Sequence, residues 1–132
     1  MIYAIDSAVT KMKSIPHGKD YRVWMSKLSA DEIAAMRSAI ERYVEGKQVF
    51  TSSHIPGNDW AGTVFMPICE KACGFNEEMA ACCFGLLVWE VLMESDKQWA
   101  FRKSCEIRGI ECKGMTYYRI DVPPEAQEAK LR

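Results

Sequence analysis

The stretch that decides the fold is Met79-Ala80-Ala81-Cys82-Cys83-Phe84-Gly85-Leu86-Leu87-Val88-Trp89-Glu90-Val91-Leu92-Met93. Counting alanine and glycine as apolar, only Glu90 breaks the run. Asn76 stands ahead of it with the geometry of an N-cap, and Glu77 and Glu78 follow where carboxylates complement the positive end of a helix dipole. The spacing predicts a helix over 77–94. A surface helix keeps a polar face, and this one has none, so it must be buried on all sides. It is therefore the expected central element. A chain of 132 residues has few layers with which to wrap such a helix, so part of it is expected to meet a second copy in a homodimer.

Outward toward the C-terminus the period changes. Phe101, Cys105 and Ile107 alternate with Arg102, Ser104 and Glu106, the pattern of a half-buried strand. Arg108-Gly109 reads as a turn. Met115 to Val122 reads as a second strand, with Met115, Tyr117 and Arg119 on one face and Thr116, Tyr118, Ile120 and Val122 on the other. Two strands this close are expected to pair antiparallel. Pro123-Pro124 stops the sheet and leaves 123–132 as a polar tail beyond a single domain over 1–122.

Toward the N-terminus, Ser29 and Glu32 form a capping box, and Ile33, Met36, Ile40 and Val44 follow as an amphipathic stripe closed by Gly46. Tyr21, Trp24 and Leu28 predict a short helix capped by Asp20. Ile5, Ala8, Val9, Met12 and Ile15 also recur at helical spacing and predict a first helix ended by Pro16 and Gly18. Val64 to Cys73 predicts a helix that Pro67 kinks or begins and Gly74 ends. Residues 47–51 read as a short strand. The expected class is α+β and predominantly helical: about five helices around 77–94, and a C-terminal antiparallel hairpin. The hairpin's neighbour is either 47–51, as a third strand, or a partner chain.

Composition excludes several classes. Hydrophobic residues at 48% and a net charge of −1 exclude disorder and argue against a nucleic-acid binder. No apolar run approaches the roughly 20 residues that span a bilayer, and Met1 to Lys13 lacks a leader's apolar core, so no membrane partner and a cytoplasmic location are expected. Six cysteines would suit a disulfide framework, but Cys82 and Cys83 are adjacent and Cys69 and Cys73 share a helical face. With two histidines and no Cys-x-x-Cys, the expectation is small buried hydrophobes, with no metal and no cofactor. Phosphate-loop, nucleophile-elbow and zinc-protease patterns are absent from the sequence.

Two places are not explained by packing. Glu90 lies in an apolar helix, where a lone carboxylate must find a partner or a proton. It is either a pocket carboxylate, or it reaches solvent or pairs with an Arg or Tyr of the hairpin. The loop His54-Ile55-Pro56-Gly57-Asn58-Asp59-Trp60 gathers polar groups beside an indole. It is either a pocket wall or a turn anchored by Trp60. His17 reads as part of a turn.

Three stretches, Gly57–Phe65, Phe84–Val91 and Gly114–Asp121, resemble small bacterial proteins of the mobile gene-cassette (integron) type. The resemblance implies a compact cytosolic accessory protein, often a homo-oligomer, and it carries over no functional residue. The expected function is a non-enzymatic binding protein for a small ligand or a protein partner. Its candidate ligand residues are Glu90, Asp59, Trp60 and His54, with Tyr117 and Tyr118 from the hairpin. The alternatives are a small hydrolase or isomerase using His54 with Asp59 or Glu90, and an inhibitor or immunity-type interaction module.

Overall fold

A computed structural model describes residues 1–5, 9–52, 60–103, 106–107, 110–111 and 115–121. The chain is α+β. In order it forms β1 (Ile2–Ile5), β2 (Val9–Lys11), α1 (Gly18–Met25), α2 (Ala30–Val44), β3 (Val49–Thr51), one π-helical turn (Ile68–Ala72) and α3 (Glu77–Glu94). The strands β4 (Trp99–Lys103), β5 (Glu106–Ile107), β6 (Ile110–Glu111) and β7 (Met115–Arg119) follow. Five strands make one mixed sheet in the order β2-β1-β4-β7-β3, and β5 and β6 make a separate pair. The pairing of β1 with β4 is parallel; the other pairings in the large sheet are antiparallel.

The central helix forms as its sequence dictates. The Asn76 side chain accepts from the Met79 N–H at 3.1 Å, and nine residues from Ala80 to Leu92 are buried. Its inner half packs with Ile2, Phe50, Trp99 and Tyr117 of the sheet and with Met36 and Ile40 of α2 in one core. Exposed apolar side chains gather at its start, at Phe75 and Met79, with Cys82 beside them. The far end is closed from a distance. The α-ammonium of Met1 donates to the carbonyls of Leu92, Ser95 and Lys97 at 2.6, 2.7 and 2.9 Å. The last turn of α3 carries no basic residue of its own; the Met1 amine caps its carbonyls by hydrogen bonds, and burial lowers the pKa of that amine to about 6.

The capping box of α2 is present in both directions, Glu32 N–H to Ser29 Oγ at 3.1 Å and Ser29 N–H to Glu32 Oε1 at 2.9 Å. Gly46 follows with φ +76°, the left-handed conformation that ends helices. Pro67 begins a helix rather than kinking one. The turn after it closes with a five-residue bond from Cys73 N–H to the Ile68 carbonyl at 3.1 Å.

One expected helix is absent. The spacing over 5–15 predicts a helix, but the chain instead pairs β1 with β2, so the described residues hold four helices rather than five. The physical reason lies in Ile5 and Val9. Four residues apart, they share a helical face, and the same interval makes them direct partners across a tight hairpin. The periodicity is common to both structures. What decides is the sheet: β1 fills the place beside β4, where Ile2 meets Trp99 and both side chains are buried. The strand at 49–51 joins the C-terminal hairpin through β7, as one of the two expected neighbours. The tail over 123–132 lies outside the described residues.

Leu87 is wholly buried in the middle of α3. Leu87→Ala is expected to cost about 2–5 kcal/mol, the range for leucine truncation in a close-packed core, read as a fall in the urea midpoint with an unchanged slope.

Candidate functional site

Glu90 has its partners. Its Oε1 accepts from Arg37 Nη1 of α2 at 2.6 Å and from the Tyr21 hydroxyl of α1 at 3.3 Å. The second terminal nitrogen of Arg37 donates to Glu94, one turn further along α3. One guanidinium fork therefore bridges two like charges that would repel at this spacing. The pair is about three-quarters buried, with side chains 24% and 23% exposed. The Tyr21 phenol is pushed up, first by burial and then by the facing carboxylate. The partner types, an arginine and a tyrosine, are those expected, but they come from α2 and α1 rather than from the hairpin. Glu90 thus ties three helices together.

The other candidate residues are dispersed. Trp60 is half-buried and lays its ring edge-on against Phe84, centroids 5.9 Å apart. Phe84 and Glu90 are six residues apart on α3, which separates their directions by about a third of a turn. Tyr117 is 1% exposed and stacks on Phe50 at 5.3 Å within the core, and burial pushes its phenol up. Tyr118, next along the strand, points to the opposite face of the sheet, in register with Ala100 and Val49. His54 and Asp59 lie outside the described residues. Trp60, Tyr117 and Tyr118 are not among the hydrogen-bond partners of Glu90 within the described residues.

Three of the cysteines behave as packing, while Cys82 is exposed and Cys105 and Cys112 lie outside the described residues. Cys69, Cys73 and Cys83 are buried free thiols. Burial raises all three, and Cys83 is pushed up to about 12. A nucleophilic thiol needs the reverse. Among the described residues there is no group of His, Cys, Asp and Glu placed to hold a metal ion, and no helix long and apolar enough to cross a membrane.

The larger concavity lies elsewhere. A groove of about 650 Å³ runs between the C-terminal halves of α2 and α3 and over the ends of β4 and β7. Trp99 and Arg119 form its floor. They are cross-strand partners, and the guanidinium lies 5.4 Å from the centre of the indole ring, a cation–π contact. A second cavity of about 520 Å³ adjoins the first and shares Arg119, Lys97 and Asp96 with it.

The floor holds two unsatisfied donors. Trp99 Nε1 and Arg119 Nε are buried without a hydrogen-bond acceptor. Each such donor costs about 1–3 kcal/mol, so native structures rarely keep them. The contrast with Trp89 is direct: its indole N–H donates to the Ser14 carbonyl at 3.2 Å. Sequence reasoning missed Trp99 and Arg119 as a site, although a signal was there. Strand alternation puts Arg119 on the same face as Met115 and Tyr117, which is the core face, and an arginine on a core face needs a reason.

No family model, curated protein or solved structure matches this chain.

Two outcomes test these assignments. Glu90→Gln is expected to lower stability by about 1–3 kcal/mol, since it leaves a largely buried guanidinium short of a charge. Glu90→Gln with Arg37→Gln should cost less than the sum of the singles in urea melts; simple additivity would show that the two are not coupled. The second concerns alkali. The Cys83 thiol loses its proton near 9 when unfolded and near 12 when folded, so the unfolded chain sheds protons first and stability falls as pH rises above 9. Cys83→Ala should flatten that decline, measured by thermal melts between pH 8 and 11.

Proposed function

We propose that this protein is a non-enzymatic binding protein that takes a small ligand in the groove between α2, α3 and the end of the sheet. The observation that carries this reading is the pair of acceptorless donors, Trp99 Nε1–H and Arg119 Nε–H, in the floor of a cavity of ligand size. An arginine held against an indole, with its terminal nitrogens free of any ion pair among the described residues, is a receptor in form. It is already ordered, so binding loses little side-chain freedom.

The Glu90 cluster supports the site from the side. Arg37 and Glu94 line the groove, and the bond from Arg37 to Glu90 fixes the angle at which α2 meets α3. Glu90 thereby acts on the pocket wall without facing the ligand.

The four tryptophans give four indole N–H signals in a ¹H–¹⁵N correlation spectrum, and Trp99→Phe assigns one of them. In a screen of small acids, amines and amino acids at millimolar concentration, binding is expected to move the Trp99 indole signal more than the Trp60 signal. Ligands that move Trp60 and leave Trp99 still would transfer the site to the Phe84 side. A panel that moves neither would refute the groove.

A further inference from the structure

We infer that the ligand of the groove is a small monocarboxylic acid with an apolar body, its carboxylate received by the guanidinium of Arg119. The inference deepens the binding reading above and rests on it.

The head group follows from the charges of the groove taken one at a time. Eight charged side chains line it. Seven of them are paired or lie open to water. Arg37 is bonded to Glu90 and Glu94. Arg42 is exposed in the last turn of α2, and the exposed Glu41 and Glu45 stand beside it on the same helix end. Asp96 and Lys97 are exposed neighbours at the end of α3, and the charge of Asp96 also acts on the Met1 amine. Exposed charges of this kind keep their hydration and gain little from a further partner.

Arg119 differs from the other seven. It is half-buried against the Trp99 ring and lines both adjoining cavities. Of the eight it alone has a polar atom, Nε, buried without an acceptor, and it has no ion pair among the described residues. Trp99 beneath it is 1% exposed and keeps the second acceptorless N–H. The floor therefore lacks acceptor oxygens and one negative charge, at one place.

A carboxylate supplies both. It is planar, carries a single charge, and takes two parallel hydrogen bonds from a guanidinium fork. A phosphate dianion brings a second charge, and the other cations of the groove already stand beside carboxylates. An amine brings the wrong sign to the one group left unanswered. Beyond the head, Val91 and Leu92 of α3, Val44 of α2 and the Trp99 ring line the groove, which suits an apolar body. The volume of about 650 Å³ lies within the usual range of small-molecule sites.

The test is calorimetric titration of the full chain with probes that share one body and differ in the head: hexanoate, hexanamide, hexyl phosphate and hexylamine. Acetate is the head without the body. Hexanoate is expected to bind tenfold or more tightly than the amide, the amine or acetate, and more tightly than the phosphate. Arg119→Gln should weaken hexanoate at least tenfold and Arg119→Lys by less, with circular dichroism confirming the fold of each variant. The head-group series uses the unaltered chain, so it decides even where a variant does not fold. Hexanamide or hexyl phosphate binding as tightly as hexanoate would overturn the carboxylate and leave the groove standing. Acetate binding as tightly would overturn the apolar body. Hexanoate binding that survives Arg119→Gln would overturn the assignment to Arg119. If every probe leaves the calorimeter silent, the carboxylic acid falls, and the Trp99 indole signal in the wider screen decides whether the groove takes some other ligand.

Discussion

Everything else in this protein is arranged around the burial of one helix that has no polar side. Each leucine or valine of α3 removed from water contributes about 1.5–3 kcal/mol, so the favourable term is large only if both sides are covered. The sheet supplies one cover, through Ile2, Phe50, Trp99 and Tyr117, and α1, α2 and the π-helical turn supply the other. The single charge in the middle of the helix is the price of this arrangement. An unpaired carboxylate there would cancel the gain from one or two apolar side chains. The Arg37 fork removes that penalty and sets the angle between α2 and α3.

The groove lies between the C-terminal ends of these two helices, over the end of the sheet. Its lining follows from which ends meet there: the C-termini of α2 and α3, with acidic and basic side chains mixed, above, and an arginine on a core-facing strand position below. The α-ammonium of Met1 occupies the carbonyls of α3 itself. The α2 end has Arg42 in its own last turn.

Much of this was legible from residues alone. The capping box at Ser29 and Glu32, the Asn76 cap and the unbroken apolar run after it are local signals, and they hold because nothing tertiary competes with them. The C-terminal hairpin was legible in part: β4 and β7 pair antiparallel, but the strand expected through Ile107 ends at Lys103, and Glu106–Ile107 pairs with β6 in a separate sheet. The N-terminal hairpin was not, because Ile5 and Val9 satisfy two periods at once and only the distant β4 decides between them. The site was harder. Glu90 stood out as a solitary charge, and the chemistry of its partners followed, but which helix would supply them depends on packing angles. Trp60 packs edge-on against Phe84, and the loop ahead of it lies outside the described residues. Arg119 was visible as an arginine on the wrong face of a strand, a signal that takes meaning only once Trp99 is known to lie opposite.

The parallel pairing of β1 with β4 has a consequence for how the chain reaches its native state. Roughly a hundred residues separate Ile2 from Trp99, and such distant pairings raise contact order and slow folding. During synthesis the first strand emerges long before its neighbour exists. Until β4 arrives, Ile2 and Tyr3 have no sheet to enter and α3 has one flank open to water. Docking of the N-terminus is thus a late event that covers the central helix and caps its end in one movement. The floor of the groove, at Trp99 and Arg119, is assembled in that same closing step.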